Sequence, residues 1–179
     1  MTPDAAIDQP APSRRWLQIL KICAVGRHPR RTLARIIVLA AACFIVFGFI
    51  LLPVRVTGIS MEPTYHNGAI RFSNRLAFLW HEPQRRDVVT IRYAGIHAML
   101  MKRIIGLPGE TVQFVRGQAL IDGAPLDEPY VSWGCRWNLH PIKLGDGDYF
   151  VVGDNRSMRM QDHEFGKTRR EKIVGKIVL

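Results

Sequence analysis

A mainly β domain preceded by one N-terminal transmembrane helix is the architecture this 179-residue sequence predicts. Three observations predict it. Nineteen residues from Ile36 to Val54 carry no charge. Basic residues crowd just before that run. After it come short alternating segments set off by Gly, Pro and Asp turns, the pattern of strands rather than helices.

The apolar run sets the topology. At ~1.5 Å rise per residue it spans ~28 Å, close to the hydrocarbon thickness of a bilayer. A soluble core helix would show a polar face, and this run shows none. A cleavable export signal would have a shorter apolar stretch ending in a small-x-small site. The run instead ends Leu51-Leu52-Pro53-Val54-Arg55, so it reads as a retained anchor. Residues 1–35 hold seven basic side chains against two acidic ones, a balance of +5 within a total of +10. That clustering is the positive-inside signature and keeps the N-terminal segment in the cytosol. Residues 1–13 read as disordered, and 14–32 as a basic stretch on the inner leaflet. Residues 55–179 then face the periplasm or exterior, if the source is bacterial.

Beyond Arg55 the expected strands follow in order. Asp87–Tyr93 and Ala98–Ile105 are the first two, and Pro108-Gly109 marks a turn. Thr111–Val115 resumes extended structure. Gln118–Ile121 and Ala124–Leu126 flank Asp122-Gly123, a pair suited to a tight hairpin. Asp148–Val152 ends at Gly153, and Ile173–Leu179 closes the domain.

Composition excludes several classes. With 47% hydrophobic and 22% charged residues, wholesale disorder is not expected. Half of the net positive charge sits beside the apolar run, without the interleaved stacking aromatics of a nucleic-acid groove, so no nucleic-acid partner is expected. Of Cys23, Cys43 and Cys135 only the last falls in the exported part, where one thiol makes no internal bridge. Neither H-E-x-x-H nor a paired-cysteine motif occurs, so no metal and no cofactor is implied. The six histidines sit in no recognisable triad motif.

The chemistry-bearing candidates are Ser60 and Lys102. Ser60-Met61-Glu62-Pro63 alone reads as a turn. On the strand Ala98–Ile105, however, alternation puts Ala98, Leu100, Lys102 and Ile104 on one side, with Met99, Met101, Arg103 and Ile105 opposite. Lys102 is then the one cation on an apolar face. Burial disfavours an ammonium, and a neutral amine can take a proton from a serine hydroxyl. A lysine at an exposed strand edge is the alternative.

Taken together, the S-M-E-P-T box at 60–64, RRDVVTIRY at 85–93, MKRIIGLPGETV at 101–112, LIDGAPLDEPY at 120–130 and VVGDNRSM at 151–158 resemble the bacterial type I signal peptidases. The resemblance covers nearly all of 56–179. It implies a signal-peptidase-like β-sheet catalytic domain with a small inserted β subdomain near 107–147. It also implies a serine endopeptidase with Ser60 as nucleophile and Lys102 as general base, removing signal peptides after Ala-x-Ala type sites. Some family members carry a side-chain oxyanion donor two residues before the nucleophile. Here that residue is Gly58, so backbone groups at Gly58 and Ser60 would serve. Asp154 is expected to pair with Arg103, with Asn155 beside it. The match weakens after Arg156: the serine that commonly orients the lysine would align with Arg159, leaving Ser157 as a substitute.

By the same resemblance Ile59, Met61, Leu100 and Met101 are candidate walls of a pocket for small side chains. The substrate, an exported preprotein, would lie extended beside 56–58 and 98–101. Leu76–Trp80 is either an interfacial contact with the bilayer or a buried loop. The implied location is the bacterial cytoplasmic membrane, single-pass. Three rivals stand beside this reading. One is a processing peptidase dedicated to one secretion or pilus system. Another is a non-catalytic, membrane-tethered binding module. The third, a self-cleaving repressor-type protease, would need a DNA-binding domain in place of the anchor.

Overall fold

The computed structural model describes residues 28–94 and 98–178. Most of the basic N-terminal segment, with Cys23, and also His97, lie outside these residues. The chain divides into two units, Met1–Ile45 and Val46–Leu179.

In the first unit, helix α1 spans Pro29–Ile45, and none of its residues is buried within the protein. Pro29 opens it, where a missing N–H costs nothing. Thr32 donates both its amide and its hydroxyl to the His28 carbonyl, at 3.1 and 3.3 Å. Helical structure continues through a π turn at Val46–Ile50, giving 22 residues long and apolar enough to cross a membrane. The apolar run is therefore not helical to Val54. Leu51–Arg55 is strand β1. Pro53 explains the break, because its ring clashes with a helical turn and pushes Leu52 into extended conformation.

The second unit holds two antiparallel sheets. Its strands are β1, β2 (Ile70–Asn74), β3 (Val88–Ala94), β4 (Ala98–Gly106), β5 (Thr111–Val115), β6 (Gln118–Ile121), β7 (Ala124–Pro125), β8 (Leu139–Lys143), β9 (Asp148–Val152), β10 (Gly166–Arg169) and β11 (Ile173–Val178). The larger sheet has seven strands in the order β1-β2-β11-β3-β4-β9-β10, and the smaller has four, β7-β6-β5-β8. The smaller sheet is the inserted β subdomain. Two tight turns shape it: Arg116-Gly117 and Asp122-Gly123 all have positive φ, the geometry of a two-residue hairpin. Strands β1, β2, β8 and β10 are absent from the sequence-based reading. β1 and β8 carry a proline and occupy sheet edges, where no ladder N–H is needed. β10, the other edge, is Gly-Lys-Thr-Arg, with no apolar alternation to show.

Strand β9 shows how one segment serves two cores. All five of its residues are buried. Tyr149 and Val151 join Val89, Ile91, Ile104 and Ile173 on one side. Phe150 and Val152 join Ile105, Val112, Phe114, Trp137 and Leu144 against the smaller sheet. A third cluster holds Val56, Met61, Val88, Met101 and Ile177. Of Leu76–Trp80, Phe78 is buried while Leu79 and Trp80 are exposed.

Gly175 sits at an irregularity in the β11–β3 pairing. A Cβ there would come within 2.5 Å of the Asn74 carbonyl oxygen and 2.6 Å of Ser73 Oγ. Ser73 in turn shares a buried 2.7 Å hydrogen bond with Thr90. Gly175→Ala is expected to destabilise the domain by ~1–3 kcal/mol, the usual cost of overpacking, as read by chemical denaturation of the purified chain.

Candidate active site

The loop Val56–Ala69 carries Ser60 and is closed by two backbone hydrogen bonds of 2.8 Å. The Val56 amide donates to Ala69, and the Gly68 amide donates to Val56. Its anchor is Met61, 1% exposed and packed with Val56 and Met101. Burying a side chain of this kind contributes ~2 kcal/mol, which holds the neighbouring serine in place. Gly58 has a φ of 89° and nothing near its absent Cβ, so a side chain there would be strained for backbone reasons alone.

From the other side the loop is held by the turn after β9. The Asn155 amide donates to the Ser60 carbonyl at 3.0 Å, and Asn155 Nδ2 donates to the Ile59 carbonyl at 3.0 Å. Gly153 makes this approach possible, since a Cβ there would run into the Ser60 carbonyl oxygen and the ring of His163.

Lys102, 3% exposed on β4, extends its amine to 2.8 Å from Ser60 Oγ. Burial pushes its pKa down to about 8, with Glu164 and Asp154 pulling weakly the other way. That shift leaves about a tenth of the amine neutral at pH 7, far more than an ordinary lysine, and the neutral form is the one able to take a proton. The next residue, Arg103, takes the opposite side. Its Nε and Nη2 donate to the two oxygens of Asp154 at 2.8 and 2.6 Å, and its Nη1 donates to the Arg86 carbonyl at 2.8 Å. The guanidinium lies 4.0 Å from the centre of the Tyr130 ring.

A second buried ion pair, absent from the sequence-based reading, joins this network to the connection between β7 and β8. Arg156, 1% exposed, pairs with Glu128 and donates from Nε to the Gly153 carbonyl at 2.9 Å. Glu128 also accepts from the Tyr130 hydroxyl at 2.9 Å. Charged residues in both the L-D-E-P-Y and G-D-N-R segments were the available signal, but nothing in a linear pattern pairs them.

The remaining candidates separate. Ser157 Oγ bonds Asn155 Oδ1 at 2.6 Å and not Lys102. Its expected role as orienter of the lysine gives way because Asn155 lies two residues away and captures the hydroxyl. Met61, Leu100 and Met101 border a recess of about 50 Å³ beside Ser60 and Lys102. Ile59 is 48% exposed and is not among the residues lining that recess. A wider groove of about 550 Å³ runs along Leu52–Arg55, Thr57, Met99 and Leu100. The Gly58 amide already donates to Asn67 Oδ1 at 3.1 Å. The Ser60 amide has no hydrogen-bond partner among the described residues.

Comparisons with known proteins show the family of the chain. Residues 30–179 match the family model described as signal peptidase, peptidase S26. Signal peptidase I S of Bacillus subtilis (strain 168) is 33% identical over 152 residues, covering 78% of this chain and 82% of that protein. Signal peptidase I V of the same organism is 34% identical over 137 residues, covering 69% and 81%. A probable signal peptidase I-2 of Synechocystis is 32% identical over 123 residues, and the match spans 56% of its length. Among solved structures, a signal peptidase I from Enterococcus faecalis V583 shares 27% identity at a TM-score of 0.44, covering 54% of this chain and 97% of that one. The chain belongs to the signal peptidase family, peptidase S26, a family of serine endopeptidases.

Two outcomes follow from these contacts. Asp154→Ala strands the Arg103 guanidinium without its partner and should cost ~3–5 kcal/mol in denaturant unfolding. His163 is 4% exposed, and burial with Lys102 and Arg156 nearby lowers its pKa from 6.5 to about 4. Above pH 6.5 it is neutral in both folded and unfolded chains. Between 6.5 and about 4 the unfolded chain binds the proton first, so stability should fall with pH by roughly 3 kcal/mol. Unfolding midpoints measured from pH 7 to 4 would lose this slope in His163→Phe.

Proposed function

We propose that this protein is a membrane-anchored peptidase that removes signal peptides from exported preproteins by a Ser60–Lys102 dyad. The observation that carries the reading is a buried amine, with its pKa near 8, held 2.8 Å from a serine hydroxyl.

In this reading the neutral Lys102 amine takes the Ser60 proton as Oγ attacks the carbonyl carbon of the scissile peptide. The oxyanion of the tetrahedral intermediate is met by the Ser60 amide, and a donor so placed contributes roughly 3 kcal/mol. Collapse breaks the C–N bond, and the Lys102 ammonium gives its proton to the departing amine. A water then attacks the acyl ester while Lys102 takes its proton. Return of that proton to Ser60 Oγ frees the signal peptide's new carboxylate.

The two cavities support small-residue specificity. A recess of about 50 Å³ beside Ser60 suits a methyl group and little more. The groove along β1 and the start of β4 suits an extended peptide entering as a strand. One apolar helix after a cluster of basic residues supports an N-terminus in the cytosol and the dyad on the far side of the cytoplasmic membrane. Ser60 follows that helix by ten residues, which suits cutting where a signal's apolar core leaves the bilayer. Exposed Leu79 and Trp80 suit contact with the outer leaflet.

The test is cleavage of an Ala-x-Ala preprotein by the full chain in detergent, with mass spectrometry locating the cut. Wild type should cut after the small residue, while Ser60→Ala and Lys102→Ala lose at least about 10³-fold in kcat. The wild-type rate should climb as pH rises through about 8 and then level, because the deprotonated amine is the active form. An inert wild type on several preproteins would sink the general reading in favour of a dedicated substrate. A Lys102→Ala enzyme that still cuts would sink the dyad.

A further inference from the structure

Two buried groups at the back of the dyad are left with unused hydrogen-bonding capacity. A neutral Lys102 amine has two N–H donors and one lone pair. Its one hydrogen bond among the described residues is to Ser60. His163 is buried between the edge of Trp137, 5.0 Å between ring centres, and Phe165. Neither of its ring nitrogens has a hydrogen-bond partner among the described residues. The backbone groups of Asn155 and Glu164 lie close to it but outside hydrogen-bonding geometry. An unpaired buried polar atom is destabilising, so a histidine kept at such a place calls for a reason.

Lys102 and His163 border one cavity of about 220 Å³, walled on its apolar side by Ile91, Leu100, Val151 and Phe165. No serine or threonine hydroxyl other than Ser60 reaches the amine among the described residues, and Ser157 is engaged with Asn155. The ring of His163 also borders the space that a Cβ on Gly153 would fill, together with the Ser60 carbonyl, so it stands at the dyad and not merely in the same core.

Resting on the dyad reading, we infer that His163 is a positioning residue for Lys102: its imidazole accepts a hydrogen bond from the lysine amine through a water in the cavity they share, which aims the amine's lone pair at Ser60 Oγ. The cavity has room for such a water and polar groups on two sides to hold it. The imidazole suits the role because it stays uncharged while Lys102 cycles. Burial, Lys102 and Arg156 all oppose its protonation. The other charged groups lining the cavity are Arg92, Glu164, Lys167 and Lys172, and a protonated imidazole would add a further cation where an acceptor is needed. The charged groups acting on Lys102 itself are Glu164 and Asp154, and both favour its ammonium form. A neutral acceptor at His163 adds to that preference slightly, so its loss should lower the lysine's pKa while letting the amine wander.

The experiment compares wild type, His163→Phe and His163→Gln as full chains in detergent on one Ala-x-Ala preprotein, with Ser60→Ala and Lys102→Ala beside them. Phenylalanine preserves the ring packing against Trp137 and Phe165 but offers no acceptor. It should keep KM, lose about 10- to 100-fold in kcat, and move the rising limb of the pH–rate profile below its wild-type position. Glutamine, polar and of similar reach, should recover kcat to within about threefold of wild type. Wild-type kcat and an unmoved limb in His163→Phe would overturn the proposal, as would a His163→Gln enzyme no better than His163→Phe at equal stability. Should His163→Phe not fold, the ring can be followed in wild type by nitrogen NMR of histidine-labelled protein. Its signals should shift as Lys102 titrates near pH 8 and lose that shift in Lys102→Ala. Signals that stay constant would overturn the proposal. Activity surviving in Ser60→Ala or Lys102→Ala would instead mark failure of the dyad reading on which it stands.

Discussion

Two cations stand side by side on β4, and the alternation of a strand sends them to opposite sides of the sheet. Lys102 and Arg103 are both nearly inaccessible to water, a placement that would be prohibitive for either if it were left alone. The two solve the problem differently. Arg103 stays charged and gives two hydrogen bonds to a fully buried Asp154. Lys102 has no carboxylate in hydrogen-bond contact among the described residues, and its pKa falls. The contrast follows from chemistry, because a guanidinium cannot shed its proton in a protein and an ammonium can.

The Arg103–Asp154 pair therefore does more than neutralise a charge. It ties β4 to the turn after β9, and one residue later that turn grips the Ser60 loop through the backbone amide and Nδ2 of Asn155. The distance between Ser60 and Lys102 is thus set by three segments at once: a strand, a turn and a loop anchored by Met61. Arg156 and Glu128 tie the same turn to the connection between β7 and β8, which gives the inserted subdomain a part in holding the site as well as in burying Phe114, Val112 and Trp137. Buried pairs of this sort often add little net stability. Their worth here is geometric: each leaves one way for the turn to sit.

Much of this molecule is legible from local pattern. An uncharged nineteen-residue run announces a helix apolar enough to cross a membrane, Asp122-Gly123 announces a hairpin, and alternation in Ala98–Ile105 separates Lys102 from Arg103. What pattern misjudges is where edges fall. Pro53 lies in a run that hydropathy reads as one piece, yet it ends the helix and starts a strand, because backbone sterics outrank apolarity there. Strands β8 and β10 escape notice since an edge strand buries one side at most and needs little alternation. The pocket walls are mixed for a similar reason. Met61, Leu100 and Met101 are near Ser60, whereas Ile59 is drawn outward although its hydrophobicity is the same.

By itself the sequence determined the chemical type of the candidate groups Ser60 and Lys102, the helix long and apolar enough to cross a membrane that precedes them, and the β character of the rest, because each is written in residue types or in a period of two. Tertiary structure alone decided which groups meet. Ser60 and Lys102 are 42 residues apart, Arg103 and Asp154 are 51 apart, and Arg156 and Glu128 are 28 apart. Ser157 looked available for the lysine until Asn155 claimed its hydroxyl, and His163 looked like one histidine among six until the sheet closed over it beside Lys102. Such meetings depend on strand order and loop closure, which bring together residues whose separation along the chain carries no information about their distance in space.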